Sequence, residues 1–528
     1  MTPTLKRISR RLQSWISPVY AVMICMVIAI CIFFSDIPHG RKIGCPPWAA
    51  LMLCGAAFFL CLLCVCSLCF RKPIPKRFLL PTALVLMILQ MIAVYQYYFY
   101  TDWDITALME LSSAIAHGTD KTTQLGYFST YPNNLFLVWL FSVIERAAHA
   151  VGLHELEYYV ILCVQCLFSA ATGVLLFFIL EKLFHDSRLS AFGYVLYLLL
   201  VGLSPWVSIP YSDSVGLLFP TLILFLYLYR NRAKYRWIPW TAIAFLSWIG
   251  YKIKPQILIL LIAIGIIRLL VRLRTEKPVY CVRWLSAFAA GAVCAVLLTN
   301  SAISGIDLPL NREKTFGIQH FFMMGLNPDT YGVWAEEDVA FSAAYPTERS
   351  RSRADMDRAY SRIQQMGPGG VIVQIARKTL TNYHDGSFCW AGEGTFFSEI
   401  LPEKNPALSR FFRSLYYTRS EAETGVNFSK WFNFEQMIWS TVLLCGVFAA
   451  LGRKNEDRDL IMLTIIGLTL FELLFEARAR YLYIYAPFYI LLAVYGVREC
   501  RSGVLRLLKK NGAVNQGDGR GLPARQNA

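Results

Sequence analysis

Charge is scarce in this chain of 528 residues: Asp, Glu, Lys and Arg together make up 16%, against 56% hydrophobic residues. An ordinary soluble domain carries about 25% charged residues, so the composition excludes a soluble globular fold and leaves an integral membrane protein. Acid is scarcer than base, with 35 Asp and Glu against 51 Lys and Arg and a net charge of +16. The basic residues fall in short clusters between apolar runs, which is a membrane-topology pattern and excludes a nucleic-acid footprint. A disulfide framework is lacking, although 15 Cys are present. Most of them, such as Cys54, Cys61, Cys64, Cys66 and Cys69, stand inside apolar runs, where Cys packs as a small hydrophobe. Histidine is rare, and its 7 residues show no cluster with metal-ligand spacing along the chain, so metal use stays open. The N-terminus carries Lys6, Arg7, Arg10 and Arg11 before its first apolar run and lacks a small-residue cleavage site. It reads as an uncleaved first helix with a cytoplasmic N-terminus. No internal repeat is visible.

What is there is a succession of apolar runs. Twelve are long enough to cross, near 17–35, 48–70, 78–99, 158–180, 189–207, 211–229, 237–251, 255–271, 284–303, 433–451, 459–475 and 481–497. The run 135–144, followed by Glu145, Arg146 and His149, is too short to cross and reads as an interfacial or re-entrant helix. Arg71, Lys72, Lys76 and Arg77 place the second turn inside. The basic turns at 230–236, 272–277 and 453–458 fall inside by the same rule. The expected fold is an all-α polytopic membrane protein of about twelve transmembrane helices, both termini cytoplasmic. Residues 1–303 form an N-terminal transmembrane module that contains a first outer loop, 101–157. An outer cap covers 304–432, with helices expected over 354–365 and 371–382. C-terminal transmembrane helices occupy 433–497, and 498–528 reads as a disordered cytoplasmic tail.

Chemistry concentrates at the outer loops. Asp102 and Asp104 follow a transmembrane end rich in tyrosine. An acid at such a partly dry boundary can serve as a general base or hold a divalent metal, or it can cap the helix expected over 105–117, which Gly118 ends. The turn Tyr131-Pro132-Asn133-Asn134 then opens the interfacial helix. Asp213 sits in the short outer turn Pro210-Tyr211-Ser212-Asp213. Arg478 and Arg480 flank Ala479 at another boundary, where guanidinium groups are costly unless they meet a lipid phosphate or pair with Glu472 and Glu476. Lys252 and Lys254 lie outside against the positive-inside bias and either hold an anionic headgroup or snorkel. In the cap, Tyr383-His384-Asp385-Gly386 and Trp390-Ala391-Gly392-Glu393-Gly394 combine titratable groups with an aromatic able to stack on a sugar, or form a solvated loop.

An acidic motif followed by two juxtamembrane helices and a proline-containing turn resembles the first outer loop of the GT-C superfamily of membrane glycosyltransferases. That superfamily includes protein O-mannosyltransferases and the aminoarabinose transferases of lipid A. Asp213 stands where members often carry a further acid. The segment Phe475-Glu476-Ala477-Arg478-Ala479-Arg480-Tyr481, with Pro487 beyond, is similar to one near the end of many bacterial members. The sequence departs from the pattern in having Asp-Trp-Asp where many relatives have Asp-Glu, so both Asp102 and Asp104 are candidates, and spacing from Gly118 favours Asp104.

The resemblance implies transfer of a sugar from a polyprenyl-phosphate donor to a glycan, lipid or protein acceptor on the outer face of a bacterial plasma membrane. It implies inversion with Asp104 as base and Arg478 and Arg480 on the donor phosphate, helped by Lys252 and Lys254. Asp213 would orient the acceptor or assist a divalent metal. A transporter or flippase for a lipid-linked saccharide is the rival reading. It would need charged residues aligned within several spans, and the sequence shows no such path.

Overall fold

The computed structural model describes residues 3–34, 46–70, 76–275, 279–418 and 425–517. The topology signals at Arg71, Lys72 and Lys277 lie outside these residues, as do positions 518–528.

Apolar composition and continuous helix coincide over most of the chain. Among the described residues, nine helices are long and apolar enough to cross a membrane: Thr4–Phe33, Trp48–Cys69, Leu79–Tyr97, His154–Phe184, Ser212–Arg232, Pro255–Arg274, Trp284–Ser304, Phe428–Leu451 and Ala479–Gly503. The other three expected runs are helical too, as Ser187–Gly202, Trp237–Ile253 and Glu456–Leu474. The first two are short, and the third opens with Glu456, Asp457, Arg458 and Asp459. The protein is thus a polytopic helical membrane protein. Close approach of backbones holds neighbours together where little water is left to drive packing. At Gly291 an added Cβ would lie 2.1 Å from the Thr241 carbonyl oxygen, so only glycine admits this contact between the helices Val279–Ser304 and Trp237–Ile253.

The last helix runs on to Gly517, so the expected tail is helical over 498–517. Leu505, Leu507, Leu508, Lys509 and Lys510 are good helix formers and carry the helix through a stretch whose Gly, Asn, Arg and Gln read as disordered.

Both surface helices of the first loop are present. The first, Asp104–His117, ends at Gly118. The second, Leu135–Ala150, is longer than the apolar run inside it because Glu145, Arg146 and His149 extend it as a polar end. Between them the polar turn is a short helix, Leu125–Thr130, followed by a tight turn over Pro132–Asn134.

The two helices expected in the cap form one kinked rod, Glu348–Tyr383, broken at Gly367 (φ 59°) just before Pro368. Proline cannot donate into the preceding turn, and glycine tolerates the left-handed conformation that the break requires. Cap and bundle are tied through buried polar groups. The indole N–H groups of Trp206 and Trp439 donate to the Ser387 and Tyr383 carbonyls at 3.1 and 2.8 Å. Tyr417 Oη donates to the Tyr97 carbonyl at 2.7 Å. A two-stranded antiparallel pairing of Tyr100–Thr101 with Phe397–Glu399 joins the start of the first loop directly to the cap.

Candidate functional site

Several spans end at the same face of the bundle, and their ends supply the site. Asp104 follows the span ending at Tyr97, Asp213 begins the span Ser212–Arg232, Lys254 precedes Pro255–Arg274, and Arg478 precedes Ala479–Gly503. The cap closes over them and leaves a cavity of about 940 Å³. Trp103, Asp104, Tyr127, Tyr131, Asn133, Asn134 and Tyr211 line it from the bundle and first loop. Asp385 and Glu393 line it from the cap, and Glu476, Arg478, Arg480 and Tyr481 from the head of the last helix.

The backbone separates the two candidate acids of the first loop. Trp103 adopts φ 66°, a left-handed conformation that costs a non-glycine residue about 1 to 3 kcal/mol. It turns Asp102 and Asp104 in different directions. Asp102 is exposed and accepts from the backbone N–H of Trp103 at 2.8 Å, so it stabilises the turn. Asp104 begins the helix, where the positive end of the helix dipole favours a carboxylate. It faces the cavity and accepts from Tyr211 Oη at 2.9 Å.

Behind Asp104 stands the Tyr-Pro-Asn-Asn turn. Asn133 Nδ2 donates to Asn134 Oδ1 at 3.2 Å, and Asn134 Nδ2 donates to Tyr127 Oη at 3.0 Å. The Asp104 charge acts on Tyr127 as well. Pro132 shapes the turn at its first position. Burial pushes the Tyr127 and Tyr131 hydroxyls up, and the Asp104 charge adds to this, so both stay protonated and can donate.

The arginines have counterions. Arg478 meets Glu393 directly, and its Nε donates to Glu476 Oε1 at 3.0 Å. Arg480 Nε lies 2.8 Å from Glu393 Oε2, at an angle too bent for a hydrogen bond. Arg480 Nη1 is 3.8 Å from Asp213 Oδ2. The Arg480 side chain is buried, yet neither Nε nor Nη1 has a hydrogen-bond partner among the described residues. Its guanidinium lies 4.5 Å from the ring centre of Trp103 and 5.2 Å from that of Tyr211, so aromatic faces carry part of its charge. Burial opposes ionisation of Glu393, but Arg478 and Arg480 outweigh it and hold the carboxyl below its usual range.

Asp213 and Lys254 are brought together rather than presented to the cavity. Lys254 Nζ donates to Asp213 Oδ1 at 2.5 Å, and both are buried. A lysine thus stands on one Asp213 oxygen and an arginine near the other. Lys254, expected at the donor phosphate, is occupied by that same acid. Lys252 lies apart, between the rings of Trp248 and Tyr251 at 5.6 and 5.8 Å.

Three residues of the site carry no local signal of their role in the sequence. Tyr211 stands two residues before Asp213, and nothing local marks it as the partner of Asp104. Trp103 reads only as the residue between two acids. Glu393, one titratable group of a cap segment, bridges two arginines. It lies in a turn reached through Phe388 (φ 55°) and Cys389 (φ 65°). Asp385 holds that turn, accepting from Ser387 N–H at 2.7 Å and Cys389 N–H at 3.0 Å.

Comparison with known proteins adds a family but no activity. No curated protein matches the chain. A family model described as conserved hypothetical integral membrane protein matches residues 11–501, nearly the whole of the chain that the structure describes, and the protein belongs to that family.

Proposed function

We propose that this protein is a GT-C-type glycosyltransferase that moves a sugar from a polyprenyl-phosphate donor to a glycan, lipid or protein acceptor on the outer face of a bacterial plasma membrane. The observation that carries this reading is convergence: a carboxylate, Asp104, and two arginines, the half-buried Arg478 and the buried Arg480, face one aromatic-lined cavity where spans end under the cap. The fold has twelve crossings in this reading. Ser187–Gly202, Trp237–Ile253 and Glu456–Leu474 return the chain to the cap side, and both termini lie in the cytoplasm.

The chemistry follows from the geometry. An acceptor hydroxyl is held near Asp104, whose carboxylate is oriented by Tyr211. The hydroxyl oxygen attacks the anomeric carbon as its proton passes to Asp104, and the bond from that carbon to the phosphate oxygen breaks, giving inversion. The leaving phosphate keeps the electron pair, and the unpartnered donors of Arg480, with Arg478 beside it, stabilise its charge. The sugar stacks on the aromatic wall, with Trp103 and Tyr131 as its nearest candidates. Because buried acids already surround the arginines, phosphate binding requires an exchange of partners within the site, which favours weak donor binding and ready release.

The test is sugar release from a panel of polyprenyl-phosphate monosaccharides by purified protein with membrane extract as acceptor. Wild type should turn over one donor, and Asp104→Asn should abolish turnover while the protein remains folded. Transfer at the wild-type rate by Asp104→Asn removes Asp104 from the chemistry.

A transporter or flippase for a lipid-linked saccharide is the second reading, and one observation favours it. Glu435 and Glu472 are buried in the bundle, and neither carboxylate has a hydrogen bond of ordinary geometry among the described residues. Buried acids of this kind mark ion paths in transporters. Movement of intact donor across vesicles, blocked by Glu472→Gln and indifferent to Asp104→Asn, would favour transport.

A further inference from the structure

Away from the cavity, at the opposite end of the helix that begins with Asp104, three histidines and a glutamate meet. His117 lies in the last turn of Asp104–His117, and His149 in the last turn of Leu135–Ala150. His154 lies in the connecting turn, and Glu157 opens the long helix Glu157–Phe184. The sequence hides this cluster because His117 and Glu157 are 40 residues apart. His117 Nε2 is 2.8 Å from Glu157 Oε2, His149 Nδ1 is 3.1 Å from Glu157 Oε1, and His154 Nδ1 is 2.9 Å from His149 Nδ1. Ligand atoms of His117, His149 and Glu157 all lie within 4.8 Å of one another.

Hydrogen bonds alone do not satisfy this arrangement. His149 Nδ1 faces both a carboxylate oxygen and a second imidazole nitrogen, and a ring nitrogen carries at most one proton. If that proton points to Glu157, two imidazole nitrogens face each other without a proper bond. If instead His154 donates to His149, the His149 lone pair points at a carboxylate. A cation between His117, His149 and Glu157 removes the conflict, because His149 Nδ1 then offers its lone pair to the ion.

We propose that His117, His149 and Glu157 bind one zinc ion, with the fourth position taken by water or by His154, which lies beside His149. Imidazole nitrogens with a single carboxylate suit zinc rather than magnesium or calcium. Ligand atoms about 2.1 Å from a tetrahedral zinc stand roughly 3.4 Å apart, between the 2.8 and 3.1 Å contacts to Glu157 and the 4.8 Å within which the three residues' ligand atoms gather. Both helix C-termini present the negative end of their dipoles to the same point, which adds to the attraction for a cation. The ion staples the two surface helices to the transmembrane helix. Since the first surface helix spans roughly 20 Å, the zinc is too far from Asp104 to act in its chemistry, and it acts by fixing the helix that carries it. This site does not depend on the transferase reading.

The test uses the full chain in detergent, purified without a histidine tag, stripped with a chelator and equilibrated with zinc alone. Wild type should retain one zinc per chain by elemental analysis. His117→Gln and Glu157→Gln should each weaken zinc binding at least tenfold in competition with a chromophoric chelator. Cobalt added to stripped wild type should give the visible absorption of a four-coordinate site, a readout that does not depend on any variant folding. Absence of that absorption, or equal zinc retention by wild type and the double variant His117→Gln/His149→Gln, overturns the proposal.

Discussion

Replacing Glu393 by Gln removes one negative charge from between two arginines, one half-buried and one buried, while keeping the side-chain shape. Glu393 is 7% exposed and touches both Arg478 and Arg480. At an effective dielectric of about 20, a charge pair at about 4 Å is worth about 4 kcal/mol. Two such attractions are lost, but the carboxylate no longer has to be buried, and Glu476 and Asp213 still hold one arginine each. The net loss should therefore match that of breaking a buried pair, about 3 to 5 kcal/mol. Equilibrium unfolding of the purified chain in detergent measures it. Removing a cation as well should restore part of the loss, so the double variant Glu393→Gln/Arg478→Gln should be more stable than the sum of the single variants predicts. Inorganic phosphate should stabilise Glu393→Gln more than wild type, because the freed guanidiniums accept the anion. Wild-type stability in Glu393→Gln, or strict additivity of the two substitutions, would refute the view that Glu393 neutralises the arginine pair.

Other predictions concern separate parts of the molecule. On the proposed transferase reading, Tyr211→Phe removes the hydroxyl that holds Asp104 and should lower kcat of sugar transfer about ten- to a hundredfold with KM little changed. His320 is buried, its Nδ1 lies 2.7 Å from Ser342 Oγ, and Ser342 Oγ donates to Asp355. Burial pushes the His320 imidazole from 6.5 down to about 4. Between these values the unfolded chain binds a proton that the folded chain does not, so stability falls as pH drops from 6.5 to 4, by at most about 3 kcal/mol from this group. His320→Asn should flatten that part of the stability profile, and an unchanged slope would remove His320 as its source. Gly291→Leu forces a side chain against the Thr241 carbonyl and should cost about 3 kcal/mol or more, read as a lower unfolding midpoint.

The helix plan was legible because hydrophobic length is a one-dimensional property: each of the twelve apolar runs is a helix, and 135–144 lies inside a surface helix. The kink of the cap rod was legible only as a gap between two helical stretches, 354–365 and 371–382. Nothing in their composition shows that Gly367 bends one rod instead of opening a loop. The site was legible as a set of charged residues at span ends and not as a set of pairs. Lys254 and Asp213 are separated by a whole helical hairpin, so their mutual neutralisation is a fact of tertiary packing. Asp104 and Asp102 differ by the backbone angle of the tryptophan between them, which no residue count supplies.

The pairing of Tyr100–Thr101 with Phe397–Glu399 has a consequence for how the molecule is made. The first loop leaves the ribosome long before the cap, and the cap before Arg478 and Arg480. Until the cap arrives, the strand after Tyr97 has an open edge and Asp104 has no arginine across from it. When the last helix enters, Glu393 already waits at its head, so its two guanidiniums meet an acid instead of bare lipid. Assembly thus finishes at the site: a chain halted before its final helix would have most of its spans and the Asp213–Lys254 pair, but none of the arginine pairing on which the cavity rests.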